Sequence, residues 1–183
     1  MIGRLVFIVS LLPGIAFAAG SFALSSAEIK PNATMAEAQV FKGFGCDGGN
    51  VSPSLAWKNA PAGTKSFALT AYDPDAPTGS GWWHWVMFNI PADVNALPAG
   101  AGDPAGGKAP RGAVQSRTDF GKPGYGGPCP PKGDRPHRYI FTIHALKVDH
   151  IDADQDASGA LASYMINADQ IGKATLTGKY GRK

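Results

Sequence analysis

The clearest alternation of apolar and polar positions lies at residues 65–72. There Phe67, Leu69 and Ala71 fall on one face and Ala68, Thr70 and Tyr72 on the other, the period of a β-strand. The run Asp73-Pro74-Asp75-Ala76-Pro77-Thr78-Gly79 ends it, because proline has no N–H to give a ladder. Residues 82–90 predict a second strand, apolar on both faces and hence central. Residues 137–148 predict a third, rich in β-branched and aromatic side chains. Residues 22–29 alternate weakly, 55–58 are a short apolar strand, and 174–180 are extended. Gly- and Pro-rich stretches at 41–53, 100–111 and 120–136 read as loops. One helix is predicted near the C-terminus, capped by Ser158 or Asp156, with Leu161, Met165 and Ala168 on its apolar face. Many strands and one late helix predict a mainly β fold: a β-sandwich-like core with a peripheral C-terminal helix.

The N-terminus has a different pattern. Arg4 precedes residues 5–17, apolar except for Ser10, Pro13 and Gly14, and Ala16-Phe17-Ala18 follows the small-x-small pattern of a cleavage site. Residues 1–18 therefore read as a secretory signal peptide, cut after Ala18, with Ala19 and Gly20 as alternatives. The apolar run is short of the roughly 20 residues that span a bilayer, so no integral membrane protein is expected. Residues 19–183 are left as one domain, periplasmic or secreted. Export also bears on Cys46 and Cys129, the two cysteines of the chain. In an oxidising compartment such a pair reads first as a disulfide. It would close a loop of about 80 residues, worth about 4 kcal/mol in the chain-entropy picture. A catalytic cysteine has no supporting motif, and no CxxC spacing suggests a metal.

Composition narrows the function classes. With 44% hydrophobic and 17% charged residues, the chain is globular rather than disordered. Its net charge of +3 comes with no dense basic run, so no nucleic-acid partner is expected. There is no HExxH helix and no GxSxG elbow. A metal-dependent hydrolase is the weakest reading, and neither a cofactor nor catalysis is expected.

Candidate chemistry comes from two proline-stiffened loops. Residues 73–81 lead to His84, and residues 120–136 lead to His137. Loops of that second length inside a domain are usually functional. Strand alternation places His84 with Val86 and Phe88, and His137 with Tyr139, Phe141 and Ile143. Polar groups at the mouth of an apolar face fit a ligand pocket. Asp73 and Asp75 stand where a carboxylate would pair with an imidazole, which raises its pKa and fixes its tautomer. A histidine held cationic in this way would hold a phosphate oxygen, with backbone N–H groups of Gly126 and Gly127 as further donors. The alternative is that Asp73 is a turn residue and His84 a satisfied core histidine; spacing does not decide between them. His144 and His150 read as structural or surface residues. Trp82, Trp83 and Trp85 read as packing, with room for one of them to wall the pocket.

Longer motifs add to this. Tyr72-Asp73-Pro74-Asp75-Ala76-Pro77, Gly81-Trp82-Trp83-His84-Trp85 and Gly127-Pro128-Cys129-Pro130-Pro131-Lys132-Gly133, followed by His137-Arg138-Tyr139, resemble the phosphatidylethanolamine-binding protein family. That family is also called the Raf kinase inhibitor protein family, and the likeness is to its bacterial, exported branch. Ser52-Pro53 also fits, and the resemblance runs from about residue 22 to 180. It implies a β-sandwich with a small anion pocket holding Asp73, Asp75, His84, His137 and Tyr139. Pro74, Trp83 and Pro128 would lie nearby, and Gly127 would offer backbone contacts. Cys129 departs from the family's Gly-Pro-Pro stretch and is expected to stiffen or reshape the pocket rim. The resemblance thus implies an exported binder of a small anionic or phosphate-bearing ligand, like a phospholipid head group. The second reading is a protein–protein modulator of kinase- or protease-inhibitor type, acting through loops around the pocket. A homodimer is left open.

Overall fold

The computed structural model describes residues 20–183. The expected signal peptide and its cleavage after Ala18 lie outside the described residues. In chain order the elements are β1 (Ala23–Ser25), a 3-10 turn (Glu37–Gln39), β2 (Lys42–Gly43), β3 (Cys46–Asp47), β4 (Leu55–Lys58) and β5 (Ser66–Asp73). They continue with β6 (Trp82–Pro91), β7 (Ala96–Leu97), β8 (Val114–Gln115), β9 (His137–Leu146), α1 (Gly159–Asp169) and β10 (Gln170–Tyr180). A five-stranded sheet runs β10-β9-β5-β6-β8, a three-stranded sheet runs β1-β4-β7, and β2-β3 form a separate hairpin. The mainly β fold with a C-terminal helix is thus the one observed.

Alternation along the long strands builds two cores. Phe67, Leu69, Ala71, Trp85, Met87, Phe141 and Ile143 face the three-stranded sheet and pack on its Leu24, Leu55, Trp57 and Leu97. On the opposite face, Ala68, Val86, Phe88 and Leu146 pack beneath Ile151 and the helix residues Ala162 and Ile166. Strand β6 is therefore covered on both faces, as its apolar character predicts. Trp85, Phe88 and Phe141 are almost wholly buried, each contributing about 2–3 kcal/mol of transfer free energy.

The β5–β6 ladder slips twice, and both slips matter. Phe67 pairs with Ile90 but Leu69 with Met87, so β6 carries one extra residue there. Asn89 absorbs it at a φ of 58°, and its amide both donates to and accepts from the backbone of Ile151. The second slip lies between Ala71↔Trp85 and Tyr72↔Trp83, leaving His84 as the extra residue. Bulges re-aim side chains. Strict alternation puts His84 with Val86 and Phe88 on the helix-covered face. The bulge instead turns it to the sandwich side, beside Tyr139.

Other departures have local causes. The strand expected over 22–29 ends at Ser25 because the Ser26 hydroxyl accepts from the N–H groups of Glu28 and Ile29, a local bond that competes with the ladder. Ser158 caps α1 by accepting from the Leu161 N–H. The fully buried residues of α1 are Gly159, Ala162 and Ile166; of the expected face, Met165 packs partly buried against the same core, while Leu161 and Ala168 stay exposed. Leu161 is 51% exposed. Small residues face the sheet because the helix packs close to Trp83, where a Cβ on Gly159 would collide with the indole. Strand β10 starts directly at the helix end, four residues before its expected start.

Candidate functional site

Three strand ends meet at one end of the sandwich: the last residue of β5, the first residues of β6 and the first residues of β9. They border a cavity of about 160 Å³. Asp73, His84, His137 and Tyr139 line its polar side. Trp82, Phe120, Phe44, residues 76–78 and residues 129–131 complete the wall. At about 30 Å³ per water, the space holds about five waters, the scale of a small head group rather than a lipid.

Asp73 is the organising carboxylate. It is buried, and its Oδ1 accepts the Asp75 N–H at 2.8 Å, an Asx turn that starts the proline loop. Its Oδ2 accepts the His137 Nδ1–H at 2.8 Å. The other nitrogen of His137 lies 3.4 Å from the half-exposed Asp134 carboxylate. Gly81 lets the loop return, because a Cβ there would come within 2.7 Å of the Asp73 carbonyl oxygen and collide with the Tyr72 ring.

His84 differs from the expected carboxylate-paired cation. Its Nδ1–H donates to the Gly126 carbonyl at 2.7 Å, which fixes the tautomer and leaves Nε2 as a lone-pair acceptor. Burial pushes its pKa down to about 4, against the opposing pull of the Gly126 and Gly127 carbonyls and the charges of Asp73 and Asp119. The ring is therefore neutral at ordinary pH. Tyr139 stands edge-on to it, with centroids 5.0 Å apart. The Tyr139 hydroxyl is buried with no hydrogen-bond partner among the described residues, as is Trp82 Nε1. Burial, and then the Asp73 charge, hold the Tyr139 pKa above the usual phenol range, so the hydroxyl stays a donor.

Several expected residues lie elsewhere. The Asp75 carboxylate does not reach the cavity. It accepts from Arg138 Nε at 2.8 Å, Arg138 Nη2 at 2.9 Å, the Arg138 backbone N–H at 3.0 Å and Arg135 Nη2 at 3.4 Å. The Arg138 hydrogen bonds hold its pKa at about 2. Pro74, half-buried, sits between the two carboxylates. Trp83 points to the helix side, against Tyr72 at 4.5 Å, and Trp82 takes the place at the cavity. Pro128 packs behind His84 and Tyr139. Neither glycine offers a free donor: the Gly126 N–H goes to the His84 carbonyl and the Gly127 N–H to Asn50 Oδ1, both at 2.8 Å. Gly127 is instead needed for close approach, since a Cβ there would sit 2.7 Å from the Phe41 nitrogen.

The rim is aromatic and cross-linked. Phe41 stacks on Phe120 at 4.2 Å, and Phe44 lies 5.8 Å from Phe120. The expected disulfide is present, joining Cys46 to Cys129 with Cα atoms 6.0 Å apart and a sequence separation of 83. It ties the β2–β3 hairpin, which carries Phe44, to the 120–136 loop. Phe44 and Phe120 were not singled out from the sequence. The one available signal for Phe120 was its place at the head of the long loop. Among the described residues, no group of three His, Cys, Asp or Glu is placed to hold a metal ion, and no helix is long and apolar enough to cross a membrane.

A β-sandwich with a small cavity at one end, polar on one side, is the class of protein that the fold and the site define. The chain belongs to the phosphatidylethanolamine-binding protein family, whose sequence model matches residues 25–181. It is 57% identical over 162 residues to the UPF0098 protein YbcL of Escherichia coli K12, covering 88% of each chain. It is 50% identical over 157 residues to YbhB of the same organism, covering 86% of this chain and 98% of that one. The crystal structure of E. coli YbcL, described as a member of the mammalian PEBP family, matches with a TM-score of 0.88 at 56% identity, over 90% of this chain and 100% of that one. A homologue from Chlamydia trachomatis matches with a TM-score of 0.73 at 28% identity, over 89% of this chain and 99% of that one.

Proposed function

We propose that the protein is an exported binding protein that takes a small phosphate-bearing or similar anionic group into the cavity between Asp73, His84, His137 and Tyr139. One observation carries this reading: Tyr139 lines the cavity, and its hydroxyl is buried with no partner among the described residues. An unsatisfied buried polar group costs about 1–3 kcal/mol, a cost that a ligand oxygen accepting from it removes. Trp82 also lines the cavity, and its Nε1 is likewise buried with no partner among the described residues. The family's name points to a phospholipid head group, and the cavity's size suits a head group alone. Export is supported by the Cys46–Cys129 disulfide, which persists in oxidising compartments. We read the protein as a binder without a catalytic step. Cys129 is in a disulfide and the Thr78 hydroxyl donates to the Gly81 carbonyl, so among the residues that line the cavity neither offers a free nucleophile.

The test is calorimetric titration with O-phosphorylethanolamine. Binding that is lost in His84→Ala supports the reading, and unchanged affinity in that variant overturns it. A second reading, a protein–protein modulator acting through the pocket loops, is favoured by Phe44, which is 70% exposed beside the cavity. Exposed aromatics of this kind anchor protein interfaces. A Phe44→Ala variant that loses a captured envelope protein while keeping head-group affinity would favour it.

A further inference from the structure

We propose that the Cys46–Cys129 disulfide is a reducible latch on the cavity. While the bridge is closed, the β2–β3 hairpin holds Phe44 at the cavity rim. Reduction by a dithiol frees the hairpin to swing away and widens the mouth. The device governs access to the cavity, whatever occupies it.

The hairpin has little to hold it besides the bridge. It belongs to neither sheet of the sandwich. Its ladder has two residue pairs, Lys42↔Asp47 and Gly43↔Cys46, and none of residues 42–47 is buried. A lone two-stranded hairpin is marginal in water. Phe44 lies 5.4 Å from Phe41 and 5.8 Å from Phe120 between ring centroids, yet it is 70% exposed, so little apolar area is buried there. Its φ of 52° is left-handed, a conformation rare for a bulky residue, and opening releases that strain. The root of the hairpin is firm by contrast. The Phe41 N–H donates to the Pro128 carbonyl at 3.0 Å, the Gly48 N–H to the Phe41 carbonyl at 3.0 Å and the Asn50 N–H to the Val40 carbonyl at 2.8 Å. The moving piece is therefore bounded by Phe41 and Gly48.

Arg182 is the second fastener. Its Nη1 donates to the Gly45 carbonyl at 3.0 Å and its Nε to the Pro130 carbonyl at 2.6 Å. These carbonyls belong to the residue before Cys46 and the residue after Cys129, so the guanidinium spans the same two segments as the bridge. With the bridge broken, Arg182 becomes the catch that limits the opening and returns the sulfurs to each other.

Both cysteines are part-exposed, and exposed disulfides are the labile ones. A thiolate of the reductant attacks one cysteine Sγ, forms a mixed disulfide and expels the other cysteine as a thiolate. The reductant's second thiolate then attacks the reductant's own sulfur in the mixed disulfide and expels the remaining cysteine. Two electrons pass to the protein, the reductant leaves as a disulfide, and the protons of its two thiols go to Cys46 and Cys129.

The experiment is deuterium exchange read by mass spectrometry on the purified protein, oxidised and after dithiothreitol, with free thiols counted by alkylation. The Cys46→Ser/Cys129→Ser double variant is measured alongside. Dithiothreitol should reduce the bridge in the folded protein. Exchange over residues 42–48 should then rise at least about tenfold while β5, β6 and β9 stay protected. The double variant should reproduce that pattern, and Arg182→Ala should enlarge the rise in the reduced protein. Cavity access is read by acrylamide quenching of tryptophan emission. Quenching should increase on reduction, the increase should vanish in Trp82→Phe, and Phe44→Ala should show it without reduction. A bridge that resists dithiothreitol in the folded protein overturns the latch. So does unchanged exchange over residues 42–48 once both thiols are free. Exchange that rises equally across β5, β6 and β9 would make the bridge a fastener of the whole sandwich and overturn it too. Unchanged quenching, or an increase that persists in Trp82→Phe, overturns the control of access. None of these readouts uses a ligand, so the function proposed above stands or falls separately.

Discussion

Asp73 and Asp75 leave the same turn and meet opposite surroundings. Asp75 faces a groove with Arg135, Pro136, Arg138 and Lys179, where three N–H groups of Arg138 and one of Arg135 saturate it. Its partners are long, exposed cations: the Arg135 side chain is 83% exposed. Asp73 faces the cavity, where its partners are a buried histidine and a backbone N–H, and where the Tyr139 hydroxyl and Trp82 Nε1 lack partners among the described residues. The groove is closed chemistry that holds a turn in place. The cavity has hydrogen bonds still to make. Two carboxylates of one motif thus divide into a structural one and one at a candidate site, and the division is set by which neighbours are left unsatisfied.

The sharpest way to break this comparison is to remove each carboxylate in turn. Asp73→Ala strands the buried His137 Nδ1–H and the Asp75 N–H, and is expected to cost about 3 kcal/mol of stability and abolish head-group binding. Asp75→Ala releases arginines that water can solvate, and is expected to cost about 1 kcal/mol with binding nearly unchanged. Urea denaturation and calorimetry measure both. Equal costs, or binding lost only in the Asp75 variant, would reverse the assignment of roles.

Acid should separate the two regions in the same order. The folded pKa of His84, about 4, lies below its ordinary 6.5. The unfolded chain therefore takes up this proton first, and the associated stability is fully present above about pH 6.5. It is lost as pH falls through 4, by up to about 3 kcal/mol. Asp75 acts lower, its share being lost as pH falls from 3.8 toward about 2. Urea midpoints measured from pH 7 down to 3 should decline first in the His84 range, and His84→Gln should flatten that first decline. A first decline that persists unchanged in the variant would mean that other groups carry it.

How much of this was legible in the sequence follows from range. The three long strands, the Ser158 cap and the Cys46–Cys129 pair were readable because each rests on neighbours in sequence or on a count of two. Asp73, His84, His137 and Tyr139 were readable as candidates because proline loops led into their strands. The face of His84 was not, because a single extra residue in β6 reverses the alternation, and nothing in Trp82-Trp83-His84-Trp85 marks where the bulge falls. The same bulge explains why Trp82, not Trp83, lines the cavity. Asp75 was misdirected because either carboxylate of Asp73-Pro74-Asp75 suits a turn, and the choice depends on Arg138, 63 residues away. The donors assigned to Gly126 and Gly127 were spent on His84 and Asn50, contacts that only the closed fold creates. Helix α1 misled because its apolar residues outnumber those that the sheet can receive, so Leu161 stays outside and Ala162 goes in.

The smallest expected effect is the most discriminating, because its two readouts move in opposite directions. Tyr139→Phe removes one hydroxyl from the cavity wall and keeps the ring that packs on His84 and the inner core. If that hydroxyl served the fold, its loss would cost the roughly 1 kcal/mol of an ordinary hydrogen bond. It has no partner to lose among the described residues, so stability should hold or rise, by up to about 1 kcal/mol, as an unsatisfied buried group is removed. Affinity for O-phosphorylethanolamine should fall about tenfold, or about 1.4 kcal/mol, because a donor to the ligand is gone. Thermal melts with and without ligand read both in one series. The variant should melt at or above the wild-type temperature alone and gain less from the ligand. The same substitution has no counterpart at Asp75, whose carboxylate already accepts from Arg135 and Arg138. A Tyr139→Phe protein that is less stable alone yet binds undiminished would place the hydroxyl in the fold and remove the distinction between the two sides of the turn.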